Sequence, residues 1–152
     1  LHMTLAQVAR GIGKLEPVEH RLQLIPSAGG TTVIDDAFNS NPRGAEAALN
    51  VLKDFPGRRI IVTPGMVELG TKEAEFNREL GRFMADKTDL AILVGKKHTR
   101  PIAEGLVAAG FPEEKIYPVG SLREATEKLS ALGLPGDVVL FENDLPDNYS
   151  EE

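Results

Sequence analysis

The sequence contains no cysteine and no tryptophan among its 152 residues. Without cysteine the chain forms no disulfide bond and offers no thiolate for catalysis or metal binding. No apolar run approaches the roughly 20 residues that a transmembrane helix needs, and the first residues lack the charged and apolar regions of a signal peptide. We therefore expect a cytoplasmic protein.

Several short motifs of enzymes are also missing. The glycines and lysines near residues 11–15 and 95–97 do not have the GxxxxGK[ST] spacing of a P-loop, and GxGxxG and GxSxG do not occur. The histidines His2, His20 and His98 are too dispersed to predict a metal site. We expect neither catalytic residues nor a metal ligand set in this chain.

Composition and charge are those of one globular domain that does not bind polyanions. Hydrophobic residues make up 41% of the sequence and charged residues 26%, which is typical of soluble folded proteins. The net charge is −6, and the basic residues are dispersed. This distribution argues against a nucleic-acid or membrane surface.

Short apolar strands alternate with amphipathic helices through most of the sequence. Gly29-Gly30 is typical of a tight reversal between two antiparallel strands, whereas the later alternation predicts parallel strands with helices on both faces. The fold class is therefore α/β, a mostly parallel sheet with one antiparallel hairpin. We predict strands at 20–25, 31–34, 59–63, 90–94, 115–119 and 137–141, and helices at 42–55, 71–84, 99–109 and 121–132.

Helix ends and inward faces follow from individual residues. Thr71 is expected to cap the second of these helices and Ser121 to open the fourth in a capping box, while Gly110 ends the third. The helical spacing places Phe76 and Leu122 on inward faces.

The most informative stretch is residues 33–49, which predicts a strand, a polar loop and a helix. Asp35 and Asp36 fall at the carboxyl end of the strand, and Asn41-Pro42 is typical of a helix start. A helix N-terminus favours an anion, and an aspartate beside it suits sugar hydroxyls, so a nucleotide is a candidate ligand. The alternative is that the aspartates only end a strand and Asn41 only caps a helix.

Polar loops at 64–70, 95–98 and 142–147 also follow predicted strands. In a parallel sheet the carboxyl ends lie at one edge, where ligands bind. The fold is therefore expected to gather four polar loops at that edge.

Residues 33–42, together with His20-Arg21 and the loop at 64–70, resemble the C-terminal domain of the Mur ligases, in particular those that add D-alanyl-D-alanine. The resemblance extends from residue 4 to about residue 141. It implies a Rossmann-like lid domain of a bacterial, ATP-dependent amide ligase of peptidoglycan synthesis. Residues 1–18 would then be an entry helix and linker from a missing upstream part, and residues 19–152 the domain itself.

The same resemblance implies partners and ligands. The partners would be a central ATPase domain and a UDP-sugar-binding domain, with a UDP-linked muramoyl peptide and an amine as substrates. ATP with Mg would be bound mainly by the central domain, so this chain alone would be inactive.

The resemblance also assigns residue roles. Arg21 would contact the nucleotide and Asp36 its ribose, Asn39 and Asn41 would shape the ATP-facing loop, and Glu68 would lie near the incoming substrate.

Two departures from the family pattern concern the substrate. Gly65 stands where the family usually has an aspartate, and an acidic segment from Glu142 replaces a basic Lys-Gly-Ser-Arg-like motif. Carboxylates in this segment would favour a positively charged amine near Asn143 and Asp144. The alternative is that residues 142–152 form a solvated tail.

Other functions also fit the pattern. One is a freestanding nucleotide-binding or regulatory module, although a receiver domain would need an acidic residue at Thr63 or Gly95. Another is a domain of a related carboxylate-amine ligase with a different acceptor.

Overall fold

The computed structural model describes residues 22–27, 29–37 and 41–143. The predicted entry helix within residues 1–18 lies outside these ranges. The strands are β1 Gln23–Pro26, β2 Thr32–Asp36, β3 Arg59–Thr63, β4 Leu90–Val94, β5 Ile116–Val119 and β6 Val138–Glu142. The α-helices are α1 Pro42–Lys53, α2 Glu73–Met84, α3 Arg100–Ala108 and α4 Leu122–Leu132, with short 3-10 helices at Gly70–Lys72 and Glu113–Lys115.

The six strands form one sheet in the order β1-β2-β6-β3-β4-β5. β1 pairs with β2 in antiparallel fashion, and all other pairs are parallel. This confirms the predicted mostly parallel sheet with one hairpin. β6, the last strand, lies between β2 and β3.

The direction of the connections explains where the helices lie. The steps from β2 to β3, β4 and β5 all run in one direction across the sheet, and the step from β5 to β6 runs back. Because such crossovers are right-handed, the returning helix lies on the opposite face. α1, α2 and α3 accordingly share a core with Ile34, Ile61 and Leu140, whereas α4 packs on the other face.

Each face has its own apolar core, since side chains alternate along a strand. The core under α1, α2 and α3 includes Leu49, Leu52, Ile61, Met84, Leu93, Ile102, Leu106 and Leu140. The smaller core under α4 includes Ile60, Val62, Ile92, Val94, Val119, Ala125 and Val139.

α2 and α3 approach each other closely at two glycines. A Cβ on Gly81 would lie 2.1 Å from the Ile102 carbonyl oxygen, and one on Gly105 would lie 2.1 Å from that of Arg78. Only hydrogen fits at these positions, so the two helices pack backbone against backbone.

An ion pair between Arg58 and Asp137 lies at the edge of the sheet where β3 and β6 begin. Arg58 Nε and Nη2 donate to the two carboxylate oxygens of Asp137 at 3.0 and 2.6 Å, and Leu134 N donates to Asp137 Oδ2 at 2.8 Å. Burial raises the pKa of Asp137, but the hydrogen bonds from Arg58 and Leu134 together outweigh it, and the pKa lies below its ordinary value.

Several predicted helix ends are confirmed. Gly110 has a φ of +86°, and the N–H of Phe111 bonds the Leu106 carbonyl at 3.0 Å, as in a left-handed helix end. Ser121 Oγ accepts from Glu124 N at 3.2 Å, which confirms Ser121 as the N-cap. Glu124 Oε2 accepts from Gly120 N at 2.8 Å, one residue before the N–H that a capping box would use.

Three helix predictions are wrong. Thr71 is not a cap, because a 3-10 turn precedes α2 and no side chain caps its start. Phe76 is 36% exposed, because the inward positions of α2 are taken by Asn77, Leu80, Gly81 and Met84. Leu122 is 49% exposed because it opens α4, beside a cavity instead of over the core.

Candidate functional site at the carboxyl edge of the sheet

The carboxyl ends of β2, β3, β4 and β6 lie together at one edge, which we call the rim. On the α4 face the rim contains a cavity of about 340 Å³, the rim cavity. Its walls are mainly apolar, with one carboxylate, one hydroxyl and one amide. The lining residues are Val33, Asp35, Ala37, Val62, Pro64, Val94, Leu122, Thr126, Phe141 and Asn143.

The two aspartates that end β2 have different surroundings. Asp35 lines the rim cavity, and its Oδ1 accepts the N–H of Ala37 at 3.1 Å. Asp36 lies on the other face, on the side of α1, α2 and α3, and is only 3% exposed. Its Oδ1 accepts the N–H of Leu22 at 3.1 Å. Of these two aspartates, Asp35 is therefore the one that a ligand in the rim cavity can contact.

Glu142 lies beside Asp36, since the two residues are register partners at the ends of β6 and β2. It belongs to a strand and is 2% exposed, so the prediction that the acidic tail begins here is wrong. Burial, reinforced by the neighbouring Asp36, raises the pKa of Glu142 to about 10. We call Asp36 and Glu142 the acid pair.

Residues 64–69, the rim loop, are held in place by hydrogen bonds. The buried side chain of Asn77 accepts from Met66 N at 2.8 Å and donates to Met66 O at 2.9 Å. Asn143 Nδ2 donates to the Gly65 carbonyl at 2.7 Å, and Thr63 Oγ1 accepts from Gly65 N at 3.0 Å. The loop is thus tied to α2, β3 and the end of β6.

His98 connects the rim loop to the start of α2. Its Nε2 lies 3.1 Å from the Met66 carbonyl and its Nδ1 lies 3.1 Å from Glu73 Oε1. His98 thus bridges the loop after β3 and the start of α2.

Two rim residues adopt the left-handed conformation that disfavours side chains. The φ angles are +64° at Glu68 and +62° at Asn143. Such conformations store strain and are concentrated at functional sites. Glu68 is exposed, so the rim loop presents the carboxylate of this residue to solvent.

Asn41 is the N-cap of α1, as its position before Pro42 predicted. Its Oδ1 accepts the N–H of Gly44 at 2.9 Å. The side chain therefore fixes the start of the helix that follows the loop after β2.

The structure brings some predicted site residues together. Asn143 N donates to the Asp36 carbonyl at 3.3 Å, so these two residues adjoin at the ends of β6 and β2. Arg21, Asn39 and Asp144 lie outside the described residues. The assigned roles of all the predicted site residues in binding remain predictions.

Sequence reasoning missed the roles of Asp35, Asn77 and His98. For Asp35 the sequence did contain an indication. Side chains alternate along β2, so Asp35 points to the face of the sheet opposite to that of the buried Ile34. The contacts of Asn77 and His98 join residues that are distant in sequence, and no local pattern indicates them.

The sequence pattern of the family described as "Mur ligase, glutamate ligase domain" matches residues 20–142. The chain belongs to this family. It corresponds to the C-terminal domain of the Mur ligases, as the resemblance predicted.

Individual relatives are consistent with this membership. The chain is 29% identical over 136 residues to the UDP-N-acetylmuramoyl-tripeptide–D-alanyl-D-alanine ligase of Bacillus subtilis, covering 88% of this chain and 29% of that protein. It is 31% identical over 122 residues to the UDP-N-acetylmuramoylalanine–D-glutamate ligase of Hydrogenovibrio crunogenus, covering 80% and 25%. The chain thus spans less than a third of the length of either relative.

A solved structure shows the same fold. The MurF ligase of Thermotoga maritima, in complex with ADP, superposes with a TM-score of 0.71 at 24% identity, over 90% of this chain and 32% of that one. Within the described part of this Mur ligase domain, no helix is long and apolar enough to cross a membrane.

Proposed function

We propose that this domain covers the nucleotide and receives the amine substrate in a bacterial, cytoplasmic, ATP-dependent ligase of peptidoglycan precursor synthesis. The observation that carries the proposal is the rim cavity, an open and mainly apolar pocket whose lining includes Asp35, Thr126 and Asn143, in a chain of this family. The parent ligase would supply a central ATPase domain and a UDP-sugar-binding domain, and a UDP-linked muramoyl peptide would be the second substrate.

The rim suits an amine better than it suits phosphates. The charged group that faces the rim cavity is the Asp35 carboxylate, which attracts an ammonium group and repels a phosphate. In the described ranges no group of three or more acidic or histidine side chains is arranged to hold a metal ion. By the family resemblance, ATP and Mg would be held mainly by the central domain of the parent.

The amine would enter the rim cavity between Asp35 and Asn143, near Glu68. The cavity is large enough for a small amino acid or dipeptide, and its apolar walls would contact the aliphatic part. The nucleotide would approach the Asp36 side of β2, and by the family resemblance Arg21 would contact it while Asn39 and Asn41 would shape the ATP-facing loop. Because Asp36 is buried in this chain, its contact with ribose requires that the carboxylate become accessible in the parent.

The acidic residues after β6 extend the proposal to the choice of amine. Asp144 follows Asn143 directly and would favour an amine substrate with an additional positive charge. This part of the proposal distinguishes the parent from a ligase that strictly requires D-alanyl-D-alanine.

Steady-state kinetics of the full-length ligase that contains this chain test the proposal. Asp36→Asn should raise the KM for ATP roughly tenfold to a hundredfold, because a hydrogen bond to a charged group contributes about 1.5–3 kcal/mol. The matched control is Asp54→Asn, at the far end of α1, which should leave the kinetics unchanged. The 152-residue chain alone should not hydrolyse ATP.

The same assay decides between alternatives. A higher KM for ATP in Asp35→Asn, with no change in Asp36→Asn, would indicate that the ribose binds in the rim cavity. ATP turnover by the purified chain alone would overturn the proposal in favour of a freestanding module. If wild type and Asp144→Asn use D-alanyl-D-alanine equally well and neither is active toward diamino acids, the proposal that the parent prefers an amine with an additional positive charge would be wrong.

A further inference from the structure

Glu142 is a buried acid without a hydrogen-bond donor. It is 2% exposed, and among the described residues neither of its carboxyl oxygens accepts a hydrogen bond. A buried carboxylate in this situation is strongly disfavoured. Burial therefore favours the neutral acid at this position.

The neighbour that can accept the resulting proton is Asp36. The register of parallel strands β2 and β6 places the two residues side by side, and the neighbouring Asp36 is one of the causes that raise the pKa of Glu142. Asp36 already accepts the N–H of Leu22, a contact that suits an ionised carboxylate. Glu142 receives no such donor, so the proton belongs on Glu142.

Within the described structure, the helices over this face place no buried charge beside the acid pair. The buried residues of α1, α2 and α3, which cover this face, include no ionisable side chain. Thr63, at the end of the neighbouring β3, is buried and does not titrate. His98, which follows β4, contacts the Met66 carbonyl and Glu73.

We propose that Glu142 is a positioning residue that keeps its proton at neutral pH and donates it to Asp36, so that the acid pair carries one negative charge. The shared proton joins the ends of β2 and β6. Since Asn143 follows Glu142 and bonds both Asp36 and Gly65, the acid pair also fixes the rim loop. Ionisation of Glu142 would place two negative charges side by side and separate these ends.

Carbon-13 NMR of the side-chain carboxyl groups in the whole 152-residue chain tests this directly. Assignment through bonds to the backbone identifies the Glu142 Cδ and Asp36 Cγ signals without any variant. At neutral pH we expect Glu142 Cδ at the chemical shift of a protonated acid. Both signals should then move together as the pH is raised toward about 10.

Two variants separate a shared proton from simple packing. Glu142→Gln keeps a donor for Asp36 and removes the titration, so the Asp36 signal should no longer move in the alkaline range. The matched control, Glu114→Gln at an exposed site, should leave the movement intact. An ionised Glu142 signal at neutral pH would overturn the proposal, as would an Asp36 signal in Glu142→Gln that still moves in the alkaline range as it does in the wild type. The experiment needs no ligase activity, so its result does not depend on whether the proposed function is correct.

Discussion

Asn143 combines a left-handed backbone with a side-chain hydrogen bond, and the two contributions are separable by substitution. Asn143→Gly keeps the positive φ and loses only the bond to Gly65, which should cost about 0.5–1.5 kcal/mol of stability. Asn143→Ala loses the same bond and adds the strain of a Cβ at positive φ, about 1–2 kcal/mol more. Urea unfolding of both variants measures the difference.

Asparagine tolerates positive φ better than alanine does, so the wild type should be the most stable of the three. Equal unfolding free energies for Asn143→Gly and Asn143→Ala would mean that residue 143 is not held in the left-handed conformation in solution.

The residue scale also shows where sequence reasoning succeeded and where it failed. Local chemistry predicted the Asn41 cap, the Ser121 cap and the left-handed end at Gly110, because each depends on neighbours within a few positions. It failed for Glu142, whose place in a strand beside Asp36 depends on a residue more than a hundred positions away.

At the scale of elements, the contact between α2 and α3 depends on Gly81 and Gly105. Alanine in a helix is ordinarily about 1 kcal/mol better than glycine. At position 81, however, the added Cβ would overlap the Ile102 carbonyl, and the helices would have to separate. We expect Gly81→Ala to destabilise the domain by about 1–3 kcal/mol.

Thermal or denaturant unfolding measures this effect, with Gly29→Ala as the control because nothing lies within 4 Å of its added Cβ. The control should change stability by less than about 0.5 kcal/mol. A stabilising Gly81→Ala would show that α2 and α3 are further apart than described.

Element prediction was accurate because apolar periodicity determines strand and helix type, and most ends agreed within a few residues. The inward face of a helix was less predictable. Phe76 has the spacing of a core residue, but the polar Asn77 takes the inner position because its amide satisfies both backbone groups of Met66. The order of strands was not predictable either, since no local signal places β6 between β2 and β3.

At the scale of the whole molecule, two buried acids affect stability in opposite pH ranges. Asp137 has a lowered pKa, so its contribution is present above its ordinary value of 3.8 and is lost as the pH falls. Glu142 has a raised pKa, so folding takes up a proton between 4.5 and about 10, and stability falls as the pH rises through that range. We expect maximum stability in mildly acidic solution.

Urea unfolding at a series of pH values measures this dependence. The free energy of unfolding of wild type relative to Glu142→Gln should fall between pH 4.5 and about 10, by at most about 1.4 kcal/mol per pH unit, the value for one proton. A difference between the two proteins that does not vary with pH would contradict the raised pKa of Glu142.

The position of β6 has a consequence for how the domain folds. Its pairs with β2 and β3 join residues such as Thr32 with Val138 and Arg59 with Val138, so the centre of the sheet closes only when the last strand arrives. Contacts of such long sequence separation slow folding. During synthesis on the ribosome, the edges of β2 and β3 that pair with β6 therefore stay unpaired until β6 has emerged.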